Sequence, residues 1–561
     1  MALCTEPERR TISTGSREVL DRLFNAFWRE GLAASRRLVR PCLCAEEAAV
    51  VALPDGSEWL AHVEHHRALD RLRTRPPYVF RPAGDSLRET ATPEEALDLL
   101  AASCRDPGLD FELLKLECRQ SAENLDRFLA AVPQRAEPIA RGQRMLDLDE
   151  VELESWNLRG HELHPGCKTR FGFSPEDLDR YSCELGRQVD LRFAAVRRSH
   201  AVVTGQAELA WREPLNQELR ARGLDPEEFV LLAIHPWQWR HQVQPRFEAE
   251  LRAGHVVELQ ARFPARPLAS LRTLAPVGHP GAHHVKLPLA VQSTSAVRTV
   301  SPQSTQNGPR LSALLEGILE GPARLLSEDL GVHFRDADLD RAKHLSMLLR
   351  RAPQPIEGTR LVPVAVLAEP SPLNGHPIVR EAVERMGGDP AAFLAAYSAL
   401  TARAFLPALL RYGVAIEAHA QNCLVRLRAG EPVELLLRDL GGIRILFAWL
   451  REQRRDVRLH PASVVVAHTE GELVAKTHHT YLQGNLAPIV SALAESYGLS
   501  ERPLWALAAR CIRRVAEELE LPARRVDAFF APRIQVKALT RMRLGGRSHQ
   551  YDFCTVGNPL A

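Results

Sequence analysis

The amino-acid sequence predicts an α+β fold divided over two to four domains, and three observations lead to it. The chain has 561 residues, which is too long for a single hydrophobic core. Apolar residues recur at helical spacing through about the first 150 residues and again over residues 482–521. Between these parts, from residue 229 to residue 367, short apolar runs and alternating segments are typical of strands.

The first part of the chain is predicted to be mostly helical. Leu20, Leu23, Phe24 and Phe27 are spaced as one face of a helix. Residues 93–104 and 111–132 follow as two more helical segments, and residues 49–53 and 59–63 are predicted as two strands around the turn 54–56. We therefore expect a helical domain with a small hairpin, and no residue pattern in it indicates chemistry.

Composition is that of an ordinary globular protein. The chain has 72 Lys and Arg residues and 70 Asp and Glu residues, so its net charge is +2. This small charge does not produce the basic field that is typical of nucleic-acid-binding proteins. The ten cysteines are scattered, and Cys42 and Cys44 form the one close pair, so no metal site is completed. The sequence has no signal-peptide core and no run of about eighteen apolar residues. We expect a cytoplasmic protein with free thiols that binds neither membrane nor nucleic acid.

A cationic loop at residues 160–170 is the first candidate for ligand binding. It contains His161, His164, Lys168 and Arg170, and Ser174 then caps a new helix. The two histidines are spaced as zinc ligands can be, but no second ligand pair follows at suitable spacing. A loop that binds an anion fits better, and a plain surface loop is the alternative.

The middle of the chain contains strands that carry cations. Four segments are predicted as strands, namely 229–234, 256–259, 270–274 and 361–367. The segment 361–367 contains a proline and is therefore predicted to be an edge strand. In the third, Ser270, Arg272 and Leu274 would share one face. Arg272 and Lys286, on neighbouring strands, are expected to converge on the same phosphates.

The most strongly patterned strand covers residues 284–292. Lys286 would lie on the face opposite four alternating apolar residues, which are Val285, Leu287, Leu289 and Val291. Where this strand ends, the chain presents hydroxyls and a guanidinium, namely Ser293, Thr294, Ser295 and Arg298. Such groups form a site for phosphate or carboxylate oxygens. The alternative is an edge strand with a solvated basic face. A polar loop at 299–308 is expected to lead into a helix from Pro309.

A second polar stretch follows a predicted boundary at 370–375 and a long helix at 390–412. Two strands at 423–426 and 433–437 are predicted to form a hairpin. Asn422 precedes the first strand and Asp439 follows the second, so the two can meet and supply oxygen ligands to a nucleotide-bound Mg²⁺. With His419, the pattern resembles that of phosphotransferases. The alternative is a hairpin with polar ends.

Seven segments, in this order, resemble the NRPS-independent siderophore synthetases, the aerobactin-synthetase-like family. They are Gly160-His-x-x-His-Pro-x-x-Lys168, His235-Pro-Trp-Gln238, Ser270-x-Arg-Thr273, Lys286 through Thr294-Ser-Ala-x-Arg298, Glu417-Ala-His-x-Gln-Asn422, Arg438-Asp-x-Gly441 and Lys537-Ala-Leu539. One departure is Glu162, where the family commonly has a proline, so the loop around His161 is less rigid.

The resemblance implies a cupped-hand architecture of three parts and a homodimer. The parts would be a mostly helical thumb at 1–153, β-rich fingers with an antiparallel sheet at 154–375, and a mostly helical palm at 376–561 whose hairpin carries the magnesium and nucleotide residues. It also implies an AMP-forming ligase that uses ATP to adenylate a carboxylic acid, commonly citrate or a citrate or dicarboxylate derivative. An amine or alcohol then displaces AMP, and pyrophosphate is the other product.

The resemblance also implies residue roles. ATP would be held by Ser270, Arg272, Thr273 and Lys286. The carboxylate substrate would be held by Thr294, Arg298 and His419. His161, Lys168 and Arg170 would close over the anions. Mg²⁺ or nucleotide contacts would come from Glu417, Asn422 and Asp439. The residue types suit this chemistry, because Lys, Arg and Mg²⁺ neutralise a carboxylate that must approach an anionic phosphate, and a His or Glu can take the proton of an attacking amine.

Two other functions are compatible with these residues. A kinase-like phosphotransferase would use His419, Asn422 and Asp439, but no glycine-rich loop of kinase spacing lies upstream. The other alternative is a non-catalytic protein that binds a siderophore or another anion. This function would not explain the presence of Asn422 and Asp439. Release of AMP and pyrophosphate separates the ligase from both, because a kinase forms ADP and a binding protein turns over no nucleotide.

Overall fold

The computed structural model describes residues 10–40, 46–84, 87–546 and 551–561. The predictions made on residues 1–9 and on the Cys42–Cys44 pair lie outside this range. Helices and mostly antiparallel sheets are concentrated in different parts of the chain, which confirms the α+β prediction. The boundaries at 153 and 375 stay predictions.

The first part of the chain packs helices on a sheet. Its helices are α1 Thr14–Arg29, α2 Pro93–Cys104, α3 Phe111–Ala130, α4 Val132–Ala140 and α5 Glu150–Glu154. Its strands are β1 Ser35–Val39, β2 Ala48–Ala52, β3 Glu58–Arg67, β4 Arg71–Arg81 and β5 Arg88–Thr90, paired in chain order. The helical predictions are confirmed, and Phe24 and Phe27 of α1 pack on Trp59 of β3.

The predicted small hairpin is wrong in extent, because β2 and β3 belong to this five-stranded sheet. The strand β4 escaped prediction since its sequence, rich in arginine, contains Pro76 and Pro77, and prolines argue against a strand. Its arginines instead face carboxylates: Arg73, for example, pairs with Glu18 and Asp21 of α1.

The middle of the chain forms an antiparallel sheet of eight strands in the order β7-β15-β16-β11-β10-β9-β6-β8. The strands of this part are β6 Val189–Arg197, β7 Ala201–Gly205, β8 Phe229–Ile234, β9 Val256–Pro267, β10 Thr273–Pro276, β11 His284–Lys286, β12 Leu289–Ser293, β13 Ala296–Arg298, β14 Ala323–Leu325, β15 Glu328–Phe334, β16 Ser346–Arg350 and β17 Thr359–Pro363. Its helices are α6 Pro175–Tyr181, α7 Arg212–Ala221, α8 Pro236–Gln238, α9 Gln244–Arg246, α10 Glu248–Arg252, α11 Pro302–Glu316, α12 Leu339–Ala342 and α13 Val364–Leu367.

Four predictions in this part are wrong in whole or in part. The strand predicted at 284–292 is two strands, because the chain leaves the large sheet after Lys286 and β12 pairs with β13 in a separate hairpin. The loop predicted at 299–308 is mostly helix. Ser301 caps α11 and Pro302 occupies its first turn, so the helix begins before Pro309, where it was predicted to begin.

The third error concerns the strand predicted at 270–274. Ser270 to Arg272 form a turn before β10, and Leu271 has a φ of 63°. The common face expected for Ser270, Arg272 and Leu274 therefore does not exist. The segment predicted as a strand at 361–367 likewise ends at Pro363 and continues as α13, although β17 is an edge strand as expected.

The last part of the chain is mostly helical. Its helices are α14 Val379–Arg385, α15 Pro390–Leu406, α16 Phe447–Glu452, α17 Glu470–Thr477, α18 Ala487–Tyr497, α19 Glu501–Glu518, α20 Ala523–Phe529 and α21 Leu539–Leu544, with π-helices at Pro407–Arg411 and His478–Leu486. Its strands are β18 Val414–Ala415, β19 Cys423–Arg428, β20 Glu431–Leu437, β21 Arg444–Ile445, β22 Arg533–Lys537 and β23 Phe553–Gly557. The predicted hairpin is confirmed as β19 and β20, which join β14 and β17 in a four-stranded sheet.

One helix, Pro390–Arg411, is long and apolar enough to cross a membrane by length and composition. Its most apolar window is 78% buried inside the protein, as expected of a core helix. It lies in a hydrophobic core that also takes in Phe128 of α3, Leu314 of α11 and Leu437 of β20. The largest core thus joins all three parts of the chain.

We predict that Glu381 is a strong stabilising contact between the first and last parts. Its buried carboxylate on α14 accepts hydrogen bonds from the backbone N–H groups of Met145 and Leu146, both at 3.0 Å. Glu381→Gln keeps the shape but turns an amide N–H₂ towards one of these donors. A buried unsatisfied donor costs about 1–3 kcal/mol, so the urea midpoint should fall clearly.

The matched control is Glu384→Gln on the same helix. Glu384 pairs with Arg380 at a half-exposed position, and such a pair contributes only about 0.3–0.5 kcal/mol. Equal shifts of the midpoint for the two variants would contradict the role given to Glu381.

Candidate active site

A cavity of about 920 Å³ lies where the three parts of the chain meet. Its wall includes residues of α1 and β4, the turn before β10, the β12–β13 hairpin, the segment before β19, the end of β20 and the π-helix His478–Leu486. Thirteen lysines and arginines line it against seven carboxylates. The site is therefore built for an anionic ligand, because buried charges need partners of opposite sign.

Twelve of the thirteen predicted site residues line this one cavity: His161, Lys168, Arg170, Ser270, Arg272, Lys286, Thr294, Arg298, Glu417, His419, Asn422 and Asp439. The exception is Thr273, whose side chain is buried behind the wall. It pairs with Lys286 across β10 and β11, and its hydroxyl accepts a hydrogen bond from Ser270 Oγ at 3.0 Å. Thr273 therefore supports Ser270 and does not face the cavity.

Lys286 is the central cation of the site. Its Nζ atom donates to Asp439 Oδ1 at 2.5 Å and to Glu328 Oε1 at 3.0 Å, and it is almost completely buried. Burial raises the pKa of Asp439, but Lys286 and Arg272 outweigh it and hold that pKa well below its usual range. Asp439 is therefore ionised, and one lysine joins carboxylates from the eight-stranded sheet and from the end of β20.

The residues predicted to serve Mg²⁺ come together around the β19–β20 hairpin. Arg438 N donates to Asn422 O at 3.0 Å, so the two ends of the hairpin are adjacent. Asn422 Nδ2 donates to Glu417 O at 3.1 Å, and Lys476 Nζ donates to Glu417 Oε1 at 2.6 Å. Within the described ranges, no three His, Cys, Asp or Glu residues are grouped as a metal site by themselves.

Glycine makes room for this group of side chains. A Cβ atom on Gly442 would lie 1.8 Å from Glu417 Oε2, and one on Gly484 would lie 3.1 Å from His419 Cβ. Burial raises the pKa of Glu417, but Lys476 and His419 lower it to about 2. Glu417 is thus a charged carboxylate held in place by Lys476.

Thr294 and Arg298 form a clamp at the tip of the β12–β13 hairpin. Arg298 NH2 donates to Thr294 Oγ1 at 2.9 Å and to Ser293 O at 3.1 Å. Burial lowers the pKa of Arg298 to about 10, with Arg272 and Arg170 adding to the effect, so the guanidinium is still charged at neutral pH. Its remaining N–H groups have no hydrogen-bond partner in the part of the chain that the structure describes, which leaves them for a ligand.

The loop at 160–170 holds the clamp in place. Lys168 Nζ donates to Glu184 Oε1 at 2.6 Å and to Asn157 O at 2.7 Å, so its charge is already neutralised. Arg170 NH1 donates to Ser293 Oγ at 3.1 Å, and His164 Nε2 lies 2.6 Å from Ser295 Oγ. These contacts support the hairpin from behind, and the expected grip of Lys168 and Arg170 on an anion stays a prediction.

The histidines of the wall differ in the state of their rings. His161 Nδ1 accepts a hydrogen bond from Leu163 N at 3.2 Å, so its proton is on Nε2, and burial lowers its pKa to about 4. Burial also lowers the pKa of His419. No described residue hydrogen-bonds the ring of His419, so a lone pair of this histidine is available to a ligand.

Arg350, at the end of β16, is a site residue that the sequence did not reveal. It lines the cavity and is 2% exposed, yet its Nε and NH2 atoms have no hydrogen-bond partner within the described residues. Burial lowers the pKa of Arg350 to about 10, with Arg438 adding to the effect. Its sequence context, two leucines followed by two arginines, looks like the surface end of a strand and gave no signal.

Known families cover most of the chain. The IucA / IucC family model matches residues 149–369, and the model described as ferric iron reductase FhuF-like transporter matches residues 391–552. The first match ends just after α13 and the second begins within α15. Together the two matches contain all twelve predicted residues that line the cavity.

Several relatives share sequence over much of the chain. Staphyloferrin A synthase of Staphylococcus aureus is 28% identical over 440 residues, with 74% of each chain covered. The D-ornithine–citrate ligase of the same organism is 23% identical over 98% of this chain and 94% of its own. Aerobactin synthase of Escherichia coli is 29% identical over 51% of this chain and 54% of its own.

Solved structures share the fold. The petrobactin biosynthesis protein AsbB of Bacillus anthracis superposes with a TM-score of 0.81 at 19% identity, over 98% of this chain and 95% of its own. The ATP-bound aerobactin synthetase IucA of Klebsiella pneumoniae gives a TM-score of 0.80 at 20% identity, over 98% of this chain and all of its own. At this identity the likeness concerns the fold alone.

We predict a pH-dependent stability contribution from Glu184. Burial raises the pKa of Glu184, but Lys168 and Arg170 outweigh it and lower that pKa to about 2, below the ordinary 4.5. The stabilisation is therefore fully present above about pH 4.5 and is lost as the pH falls towards 2, an effect on the order of a few kcal/mol. Between pH 7 and pH 3, wild-type protein should lose more unfolding free energy than Glu184→Gln.

Equal acid sensitivity of wild type and Glu184→Gln would contradict this assignment. Glu137→Gln is a suitable control, because Glu137 pairs with Arg141 on an exposed helix face and should leave the acid sensitivity unchanged.

Proposed function

We propose that the chain, whose residues 149–369 match the IucA / IucC family model, is an ATP-dependent siderophore synthetase. It adenylates a carboxylic acid, citrate or a citrate or dicarboxylate derivative, and joins it to an amine or alcohol with release of AMP and pyrophosphate. The observation that carries the proposal is the surplus of buried and half-buried cations on one cavity, among them Lys286, Arg272, Arg298 and Arg350. Two anions that must react with each other need such a surplus.

The phosphates of ATP are assigned to the end of the cavity around Lys286. Ser270 and Arg272 lie in the turn beside β10, and Lys286 follows on the adjacent strand β11. Arg350, on the next strand β16, adds a guanidinium whose Nε and NH2 have no hydrogen-bond partner among the described residues. Charged donors of this kind bind phosphate oxygens through short, strong hydrogen bonds. A known structure of the same fold is described as ATP-bound, which supports the use of ATP.

Asn422 and Asp439, with Glu417 behind them, would hold Mg²⁺. Asn422 Oδ1 and Asp439 Oδ2 have no hydrogen-bond partner in the part of the chain described, and hard oxygen ligands on a partly preformed site suit this ion when phosphates complete its shell. Bound there, Mg²⁺ would neutralise phosphate charge.

The carboxylate to be activated is assigned to Thr294, Arg298 and His419. Arg298 can hold two oxygens with its fork of N–H groups, while Thr294 fixes the guanidinium. Arg272 stands near both Arg298 and Asp439, so it can bridge the acid and the phosphates. Neutralising both anions lowers the barrier to attack of the carboxylate on the α-phosphorus.

His419 is the candidate base for the second step. Its ring is uncharged and accepts no hydrogen bond from a described residue, whereas the proton of His161 is fixed on Nε2. An attacking ammonium must lose a proton before it can reach the acyl carbon, and a neutral imidazole near the carboxylate is suited to accept it. His161 then acts as a hydrogen-bond donor. The homodimer and the cytoplasmic location stay predictions.

A product analysis tests the proposal. The protein is incubated with ATP, Mg²⁺ and a panel of carboxylic acids, each with a panel of amines and alcohols. Acid-dependent formation of AMP and pyrophosphate supports the ligase. Formation of ADP would favour the phosphotransferase, and ligand binding without nucleotide turnover would favour the binding protein.

We predict that Arg298→Lys strongly reduces acid-dependent pyrophosphate release and leaves ATP binding largely intact. Lysine keeps the charge but loses the paired N–H geometry and the bond to Thr294. Loss of a charged hydrogen bond typically costs about 1.5–3 kcal/mol, roughly tenfold to a hundredfold in rate. Initial rates against acid concentration, with ATP affinity measured in parallel, check this.

Arg310→Lys provides the control, because Arg310 lies on α11 outside the cavity and donates a hydrogen bond to the carbonyl of Arg458. If Arg298→Lys activates the acid at the wild-type rate, the carboxylate is held elsewhere, and His161 or Arg170 becomes the next candidate.

A further inference from the structure

One wall of the cavity carries a histidine that neither the sequence motifs nor the proposed mechanism uses. His479 lies on the π-helix His478–Leu486, between α17 and α18, and lines the cavity together with Gln483. Short π-helical segments are frequent at functional sites. Gly484 of the same segment packs against His419, so His479 lies beside the group assigned to the acid.

A buried chain of hydrogen bonds runs from α1 to His479. Arg29 NH2 donates to Gln483 Oε1 at 2.5 Å, and Gln483 Nε2 lies 3.2 Å from His479 Nδ1. A guanidinium can only donate, so the atom of Gln483 that faces Arg29 must be the oxygen. The amide nitrogen therefore faces His479 and donates to Nδ1, which must carry a lone pair. The proton of the neutral ring is consequently on Nε2.

The surroundings keep this ring uncharged. Burial lowers the pKa of His479 well below its ordinary value, and the cations Lys537, Lys476 and Arg29 and the ring of His161 add to the effect. The nearby acid Glu417 is already paired with Lys476. A neutral ring whose Nδ1 is occupied presents one polar group to the cavity, an Nε2–H donor.

We propose that His479 is a specificity-determining residue that donates a hydrogen bond from Nε2 to an oxygen of the carboxylic acid substrate. The acceptor is a carboxylate or hydroxyl oxygen other than those held by Arg298, since a second anionic or polar oxygen suits a wall that also carries Lys537. This assignment rests on the proposed function and names the part of the site that selects a polyfunctional acid.

The same geometry excludes two other roles for His479. It is not the base that deprotonates the attacking amine, because its one free ring nitrogen already carries a proton. It does not bind the ammonium group of the nucleophile, because an N–H donor among cations repels that group. The nucleophile must therefore approach from another side of the cavity.

Two variants of matched size test the hydrogen bond. His479→Gln places an amide N–H₂ near the position of Nε2, and His479→Leu removes the donor. Citrate is the probe acid and ATP the parallel ligand, both titrated into the full chain by calorimetry. We expect His479→Leu to weaken citrate binding at least about tenfold and His479→Gln to keep most of it, with ATP affinity unchanged in both. His468→Leu, at an exposed position outside the cavity, is the control.

Unchanged citrate affinity in His479→Leu, or equal losses in the leucine and glutamine variants, would overturn the inference. A loss of ATP affinity equal to that for citrate would also overturn it, because a structural role would act on both. If wild type binds citrate as described but forms no pyrophosphate, the proposed function fails and the assignment of His479 as a donor to the acid stands. If wild type does not bind citrate, this assignment fails.

The tautomer is tested separately by ¹⁵N spectra of histidine-labelled protein, with the signal of His479 identified by its loss in His479→Gln. A non-protonated Nδ1 and a protonated Nε2 are expected. Gln483→Leu should remove this preference and weaken citrate binding severalfold. A protonated Nδ1 in wild type would contradict the argument whatever the binding data show.

Discussion

The buried ion pairs of Lys286 are the contact on which the rest of the site depends. One ammonium group holds Glu328 from β15 and Asp439 from the end of β20, and so fastens the eight-stranded sheet to the four-stranded sheet. Burying these charges is costly unless each has a partner. Two carboxylates on one lysine leave a negative excess there, which the neighbouring Arg272 and Arg350 balance. The Nε and NH2 groups of Arg350 are without a hydrogen-bond partner among the described residues and can donate to the phosphates of a ligand.

The first part of the chain, in which the sequence showed no chemistry, supports the walls of this cavity. Glu117 of α3 is fully buried and accepts hydrogen bonds from Gln292 of β12 and from Arg543 of α21. Its backbone oxygen accepts from Thr169, in the loop that carries Lys168 and Arg170. Through this residue, α3 holds the clamp hairpin, the cationic loop and α21 in one arrangement. The helix α1 does the same for His479 through Arg29.

Local signals in the sequence were sufficient for the residues whose position follows from a strand, a turn or a motif. Lys286 stood out because its apolar neighbours alternate, and Asn422 and Asp439 because they flank a short hairpin. Arg350 and His479 could not be found in this way, since their roles depend on partners far away in sequence, such as Arg29 for His479. The pairing of Lys168 could not be predicted either, because nothing in the sequence around it indicates that Glu184 neutralises its charge. The split at Lys286 was missed because its alternation continues unbroken across Leu287 and Pro288 although the chain changes sheets.

The cavity is proposed above all to bring a carboxylate and the α-phosphate of ATP into reaction. Transfer of isotope tests this most directly. The acid that gives the fastest pyrophosphate release is labelled with ¹⁸O in its carboxylates and incubated with ATP, Mg²⁺ and hydroxylamine as the nucleophile. Attack of the carboxylate on the α-phosphorus predicts AMP that carries one ¹⁸O atom, detected by mass spectrometry. Unlabelled AMP, or ¹⁸O in inorganic phosphate with ADP as the other product, would contradict it.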